Sequence, residues 1–316
     1  MMQIGLIGCG AWGYNYLKTL LAMPEVIVQS VCDVDEEVLG KVRFAHPLLK
    51  LNTSYRGLLE GDQVQAVIIA APPKSHFLIA SEFLMRKKAV LVEKPATLSY
   101  EEAKKLVRLA RANRTILMAG HLMAYLPAVE RLRQYIRGGK LGKLRYILSE
   151  RSNLGKIRSD VSVLWDLAVH DLSIVRYLVG RRPVWVAAQG ESYLQDGVCD
   201  LTTITMGFPK DLFVQIHANW ICPVKRRQTV VAGDRMMACV DEVKDDFPLQ
   251  LISYAGDILM PKLEKIPPLT AQCRHFIHCV QSNDEPRTGP GDITWVLKVM
   301  ELIERSMRGN GARLYF

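Results

Sequence analysis

A glycine-rich turn close to the start of the chain constrains its fold more than any other feature. Ile4-Gly5-Leu6-Ile7 is a short apolar run with the character of a buried strand. It gives way to Gly8-Cys9-Gly10-Ala11-Trp12-Gly13, and a helical pattern follows over 14–21. Between a strand and a helix, G-x-G-x-x-G has a physical meaning. Gly8 permits the tight turn, Gly10 lets the backbone approach a pyrophosphate, and Gly13 lets helix and strand pack closely. The open amides and positive dipole end at the helix start, at Ala11 and Trp12, suit phosphate oxygens. A second apolar run over 26–31 leads to Asp33, twenty residues past Gly13, where a ribose-binding acid belongs.

Asp33 also bears on which dinucleotide binds. A carboxylate there accepts hydrogen bonds from ribose hydroxyls and repels a 2′-phosphate, whereas NADP sites usually place an arginine nearby. The next residues, Val34, Asp35, Glu36 and Glu37, are neutral or acidic, which favours NAD. Lys41 and Arg43 follow closely enough to leave NADP open.

The chain alternates short apolar strands with amphipathic helices over residues 1–120, as a doubly wound parallel sheet requires. Strands are expected over 64–71, 89–92 and 115–119, and helices over 75–86 and 99–112. Ser99 is the N-cap of the latter and Glu102 stands in the capping-box position. After Gly120 the pattern changes. A helix over 127–137 stops at Gly138-Gly139, and another runs from beyond Asp160 to about residue 179. Strand-like segments then follow at 184–194, 201–208, 212–220, 228–232 and 236–241, and their close spacing implies an antiparallel sheet. Helices over 271–281 and 292–308 close the chain and are expected to cover the first domain or its boundary. The expected fold is therefore α/β: an N-terminal Rossmann domain, 1–120, and a C-terminal α+β domain, 121–316, with a large open, mainly antiparallel sheet. The active site is expected in the cleft between them.

A chain of 316 residues with 49% apolar content can bury large cores, which excludes disorder. Its apolar runs are too short to span a membrane, and no charged leader precedes the first strand. Seven scattered cysteines without a C-x-x-C pair suit a reducing cytoplasm. The net charge of +9 is spread along helices where acids alternate with bases, as over 101–114, and no nucleic-acid-binding signature accompanies it. An anionic small-molecule substrate is a better use of the surplus than DNA. Cys273, His275, His278 and Cys279 carry metal-ligand chemistry, but helical spacing turns the first two away from the others, so no metal is expected.

Two segments carry candidate chemistry. Glu93-Lys94-Pro95 stands at the C-terminal end of the apolar run 90–92, the edge where open α/β sheets bind ligands. A lysine there can stabilise negative charge on a substrate oxygen as hydride leaves the adjacent carbon. In Trp165-Asp166-Leu167-Ala168-Val169-His170, Asp166 and His170 are four apart and share one helix face. A carboxylate beside an imidazole orients the ring for general acid/base work. Leu164, Leu167, Ile174 and Leu178 form a separate core-facing stripe, and Ser173 and Tyr177 extend the polar row.

Taken in order, Gly8-x-Gly10-x-x-Gly13, Ala71-Pro72 with His76, Glu93-Lys94-Pro95, Ala119-Gly120-His121 and Asp166-x-x-x-His170 resemble the Gfo/Idh/MocA oxidoreductases over nearly the whole chain. The resemblance implies Lys94, Asp166 and His170 as the catalytic group, with Lys94 also at the nicotinamide end of the cofactor. A cis peptide bond often precedes the proline at Pro95. Ala71, Pro72, His76 and Glu93 join the cofactor contacts on the same ground. Ala71 stands where a threonine is usual, and Val161-Ser162-Val163 replaces a common Gly-Gly, which alters the substrate side. Residues 153–158, leading to Trp165, and 220–227 look like members from nucleotide-sugar and surface-polysaccharide pathways. His121, Tyr125, Asn153, Arg158, Trp165 and Lys225 are candidate substrate contacts, and Arg158, Lys225 and Arg227 suit a phosphate or carboxylate.

The implied activity is hydride transfer between a nicotinamide cofactor and a secondary alcohol or ketone of a sugar or nucleotide sugar. Two alternatives use the same fold: a glycosidase that retains its NAD, and a non-catalytic NAD-binding regulator. The regulator predicts a lost lysine or histidine, yet Lys94, Asp166 and His170 are all present. The resemblance also implies a homodimer or homotetramer formed through the second-domain sheet.

Overall fold

The computed structural model describes residues 1–61, 63–154, 161–244 and 246–316. The chain divides into two compact units: unit 1 is Met1–Leu122 with Pro267–Leu297, and unit 2 is Met123–Ile266 with Lys298–Phe316.

Unit 1 opens with β1 (Met2–Ile7), α1 (Ala11–Leu21), β2 (Val26–Cys32), α2 (Glu36–Ala45), β3 (Leu51–Asn52) and α3 (Arg56–Glu60). It continues through β4 (Ala66–Ile69), α4 (Pro73–Met85), β5 (Ala89–Val92), α5 (Tyr100–Ala112) and β6 (Leu117–Ala119). Among the described residues these strands form one parallel sheet in the order β3-β2-β1-β4-β5-β6. The order reverses between β1 and β4, the switch point at which such sheets hold a dinucleotide. β4 and β5 read AVII and AVLV and are buried at every position, as strands covered on both faces must be. The α5 cap forms at Ser99, whose Oγ accepts from the Glu102 amide at 3.2 Å. The Glu102 carboxylate reaches back to the Leu98 amide, one residue earlier than a capping box requires.

Unit 2 begins with α6 (Pro127–Arg137) and β7 (Leu144–Ser152), followed by a π-helical turn (Leu164–Ala168) that leads directly into α7 (Val169–Val179). Then come β8 (Trp185–Glu191), β9 (Leu201–Phe208), β10 (Leu212–Asn219), β11 (Arg226–Gly233), β12 (Met236–Asp241), β13 (Leu249–Ser253) and β14 (Ile258–Leu259). The chain returns to unit 1 with α8 (Pro268–Ser282), passes from unit 1 into unit 2 along α9 (Pro290–Arg308), and ends with β15 (Leu314–Tyr315). The second sheet runs β14-β13-β12-β11-β7-β10-β9-β8-β15 among the described residues. Its pairings are antiparallel except β7 with β10, which is parallel.

The central strand β7 is absent from the sequence expectation, and its composition explains why. Its buried positions include Ile147, Ser149 and Arg151, so the alternation that marks a half-buried strand is broken by polar groups on the inner face. Those groups are satisfied internally. Ser149 Oγ donates to Asp171 Oδ1 at 2.8 Å, and Arg151 donates from Nε to Asp171 Oδ2 at 3.0 Å. The same guanidinium pairs bidentately with Glu242, at 3.0 and 2.6 Å. Burial opposes the charge of Arg151, but the Asp171 and Glu242 carboxylates outweigh it and hold the guanidinium above its ordinary pKa.

Candidate active site

The glycine turn is built as its sequence requires. Gly8 has φ +84°, and a Cβ there would lie 2.6 Å from the Ala71 amide nitrogen and 2.7 Å from the Ala70 carbonyl. A Cβ on Gly13 would overlap the Gly8 carbonyl oxygen. Gly10 differs: nothing lies within 4 Å of the position its Cβ would take, and Gly10, Ala11 and Trp12 are all exposed. α1 starts there with no side-chain cap and no acid in its first turn, so anion-binding capacity at its N-terminus is not taken up by the protein's own carboxylates. Asp33 stands at the end of β2, with Oδ2 accepting from the Cys9 amide at 2.6 Å and Oδ1 from the Asp35 amide at 3.0 Å. An open glycine, an uncapped helix start and a fixed acid at the ribose position fit a dinucleotide without a 2′-phosphate.

At the end of β5 the Lys94–Pro95 peptide bond is cis. Glu93 is buried, and its carboxylate accepts from the Lys94 amide at 3.0 Å and from the Tyr16 hydroxyl at 2.6 Å. Tyr16 lies on α1 and also sits 2.9 Å from the side-chain amide of Gln272 on α8. Gly120 leaves room for this carboxylate, since a Cβ there would stand 2.5 Å from Glu93 Oε1. Buried His76 braces the neighbouring loops, with Nδ1 2.8 Å from the Pro95 carbonyl oxygen and Nε2 2.7 Å from that of Ala71. His76 and Glu93 thus bond to the chain itself and hold Ala71, Lys94 and Pro95 in place. Sequence reasoning had no access to Tyr16 or Gln272, because each sits on an ordinary helical face remote in sequence from Glu93.

β6 ends beside β5, with Val92 opposite Ala119 and the Gly120 amide donating to the Val92 carbonyl at 2.7 Å. Ala119 is stitched on its other side to Thr288: their backbones bond at 2.8 Å, and Thr288 Oγ1 donates to the Ala119 carbonyl at 2.7 Å. This brings the first turn of α9 to the end of β6, where Asp292 Oδ2 bonds Nδ1 of His121. Both residues are buried, and Nε2 of His121 has no hydrogen-bond partner among the described residues. Tyr125 is also buried.

In unit 2, Asp166 lies in the π-helical turn and His170 in the first turn of α7. Single π turns often occur at functional positions, and this one begins two residues before Asp166. Trp220 Nε1 donates to Asp166 Oδ2 at 3.3 Å, and Ser173 Oγ donates to the His170 carbonyl at 2.7 Å. The expected polar row does extend through Ser173 and Tyr177, but both are buried, and the Arg133 guanidinium lies 3.9 Å from the Tyr177 ring centre. Asn153 accepts from Arg227 Nη2 at 2.7 Å. Burial and the neighbouring Arg151 pull the Arg227 guanidinium below its ordinary pKa, although Glu242, Asp171 and Asp166 act in the opposite direction. The Trp165 indole is engaged by Glu304 at 2.8 Å, a partner the sequence did not indicate. Lys225 is exposed on the link between β10 and β11, and Arg158 lies outside the described residues.

On the helix of the Cys273 and His275 motif, His275 Nε2 accepts from the Arg287 amide at 3.0 Å and sits 3.5 Å from Cys279. No group of three metal-holding side chains forms among the described residues, and no helix there is long and apolar enough to cross a membrane.

Comparison with known proteins identifies the family. Residues 2–121 match the model described as oxidoreductase family, NAD-binding Rossmann fold, and residues 129–238 match the GFO/IDH/MocA C-terminal domain. The chain belongs to the Gfo/Idh/MocA oxidoreductase family. It is an oxidoreductase whose Rossmann unit binds NAD. Among its Gfo/Idh/MocA relatives, UDP-N-acetylglucosamine 3-dehydrogenase of Acidithiobacillus ferrooxidans is 30% identical over 241 residues, which cover 76% of this chain and 74% of that protein. A solved structure of that dehydrogenase, GnnA, superposes with a TM-score of 0.86 at 27% identity, covering 97% of this chain and 99% of the other. Inositol 2-dehydrogenase 2 of Saccharopolyspora erythraea is 27% identical over 191 residues, 59% of this chain but only 56% of that protein.

Proposed function

We propose that this oxidoreductase oxidises a secondary hydroxyl of a nucleotide sugar, with a UDP-linked N-acetylhexosamine as the substrate class. The observation that carries the proposal is the likeness to UDP-N-acetylglucosamine 3-dehydrogenase along almost the whole chain, with a lysine, an aspartate and a histidine at the expected catalytic positions. Bound NAD supplies the acceptor for the hydride that leaves the substrate carbon. His170 takes the hydroxyl proton on a ring nitrogen, and the Lys94 ammonium donates a hydrogen bond to the oxygen as it becomes an alkoxide. Asp166, itself held by Trp220, orients the imidazole. Reduction of the ketone follows the same path in reverse.

Arg227, which Asn153 holds, and Lys225, at the start of the same segment, supply positive charge for the diphosphate. The reaction belongs to the cytoplasm, consistent with seven free cysteines. Pairing of two copies through the unit 2 sheet is part of the proposal. The rings of Tyr146 and Phe213 stack there at 6.4 Å, Trp185 lies 6.3 Å from Phe213, and Phe213 is 38% exposed.

The test is absorbance at 340 nm with NAD and a panel of UDP-N-acetylglucosamine, UDP-glucose, dTDP-glucose and free inositol, with Lys94→Ala and His170→Ala as controls. NADH formation with the UDP-linked amino sugar, abolished in both variants, is the expected result. Turnover of inositol alone would overturn the nucleotide-sugar reading. Turnover that survives both substitutions would overturn the catalytic assignment.

A further inference from the structure

The buried Glu93 carboxylate holds the main chain of Lys94, and its surroundings come from separate elements of unit 1. Oε2 accepts from the Lys94 amide at 3.0 Å, and Oε1 accepts from the Tyr16 hydroxyl at 2.6 Å. Gly120 closes on the same carboxylate from the end of β6, leaving no room for a Cβ. Tyr16 is fully buried on α1, and its hydroxyl lies 2.9 Å from the side chain of Gln272, fully buried on α8. Core filling alone does not call for that hydroxyl. A phenylalanine would occupy the same space without a polar atom to satisfy.

We infer that Tyr16 is a positioning residue for Lys94: its hydroxyl fixes the Glu93 carboxylate, which in turn fixes the main chain that carries the lysine. The flanks of Lys94 are held without Tyr16. The Glu93 amide donates to the Ile69 carbonyl at 2.8 Å, and His76 Nδ1 lies 2.8 Å from the Pro95 carbonyl oxygen. The Lys94 amide, by contrast, is bonded to an oxygen that rotates about the same side-chain bond as the one Tyr16 holds. A carboxylate gripped at one oxygen can still turn, and gripped at both it cannot. Misplacing a reacting group by about 1 Å costs up to about 100-fold in rate. Tyr16 is closed to solvent, so it acts through Glu93 and not on the substrate. The inference rests on Lys94 acting beside the cofactor at the reacting oxygen, and it is independent of which sugar is oxidised.

The experiment compares wild type with Tyr16→Phe, which keeps the ring and its edge contact with Trp12, 6.3 Å between ring centres. The first readout needs no sugar: acetylation of Lys94 with and without saturating NAD, followed by mass spectrometry with exposed Lys265 as internal reference. NAD is expected to shield Lys94 in wild type and to shield it about threefold less in Tyr16→Phe, the lower worth of one hydrogen bond. The second readout is turnover of UDP-N-acetylglucosamine, assayed well below the thermal midpoint. There kcat is expected to fall about tenfold while KM stays within about twofold. In a Glu93→Gln background, Tyr16→Phe is expected to cost little further kcat, because the two act in series. A tyrosine that only stabilises the fold would lower the midpoint and leave shielding and kcat as in wild type, and that result would overturn the inference. So would an equal loss of kcat with and without Glu93. Absence of shielding in wild type would overturn the placement of Lys94 itself, and the inference with it.

Discussion

Asp33 Oδ2 accepts a hydrogen bond from the amide of Cys9 at 2.6 Å, so the acid at the end of β2 also clamps the glycine turn after β1. Its other oxygen is held by the Asp35 amide. The carboxylate is therefore oriented before any ribose arrives, and it faces a site with no arginine in the residues immediately following. Asp33→Ala should weaken NAD by roughly 10- to 100-fold, the range for a lost hydrogen bond to a charged group. NADP should be affected less, because repulsion of its 2′-phosphate is removed together with the bond. Fluorescence titration with both cofactors reads the ratio, and a ratio that does not move toward NADP would reject this role for Asp33.

The three turn glycines separate fold from binding. Above Gly10 there is open space, whereas Cβ positions at Gly8 and Gly13 are filled by backbone of the chain itself. Gly10→Ala should keep the thermal midpoint within about a degree, since surface changes of this kind are nearly neutral in stability. It should lose NAD affinity at least tenfold, because its methyl takes the space a pyrophosphate requires. Gly13→Ala should instead lower the midpoint, with a cost of about 1–3 kcal/mol or more as helix and strand are pushed apart. Calorimetry on both variants with and without NAD distinguishes the two effects.

The contrast between those glycines also marks what a sequence carries. Strand, turn and helix around Gly8 to Gly13 are local, and short-range sterics fix them. The runs at β5 and β9 were legible for the same reason, since their burial pattern coincides with their hydrophobic pattern. β7 was not, because Ser149 and Arg151 sit on its buried face and are compensated by Asp171 and Glu242, 22 and 91 residues away. The two-residue strands β3, β14 and β15 are too short to leave a periodic signal. At the candidate site, His121 stood out by its motif, but its partner Asp292 is 171 residues distant and reads as an ordinary first-turn helix acid. Glu304 was hidden in the same way, on a helix whose face toward Trp165 is set by tertiary packing.

The buried cation of β7 gives a third prediction. Arg151 holds Asp171 and Glu242 by three hydrogen bonds of 3.0, 3.0 and 2.6 Å. Arg151→Met removes the cation and leaves two carboxylates facing each other away from water. Breaking a buried pair from one side costs about 3–5 kcal/mol. Arg151→Met with Asp171→Asn and Glu242→Gln should recover much of that loss, since no uncompensated charge remains. Chemical denaturation of the single and triple variants measures both, and a triple variant no more stable than the single one would show that the charge is not the issue.

The buried thiols give the protein a defined response to alkali. Burial, and secondarily the Asp33 carboxylate, pushes Cys9 and Cys32 from 9.0 to about 11. Burial, and then Glu93, pushes Cys273 to about 12. The unfolded chain loses these protons near pH 9, whereas the native chain keeps them until about pH 11–12. Between those limits the native state binds more protons, so unfolding becomes easier as pH rises. The stability associated with these thiols is complete below pH 9 and is lost through pH 11–12. The thermal midpoint should therefore fall from pH 9 upward, and Cys273→Ala should fall less steeply than wild type over that interval. At pH 8, alkylation by iodoacetamide followed by mass spectrometry should label half-exposed Cys222 well before Cys9, Cys32 or Cys273. Early labelling of Cys9 would mean that the glycine turn opens far more often than its bond to Asp33 allows.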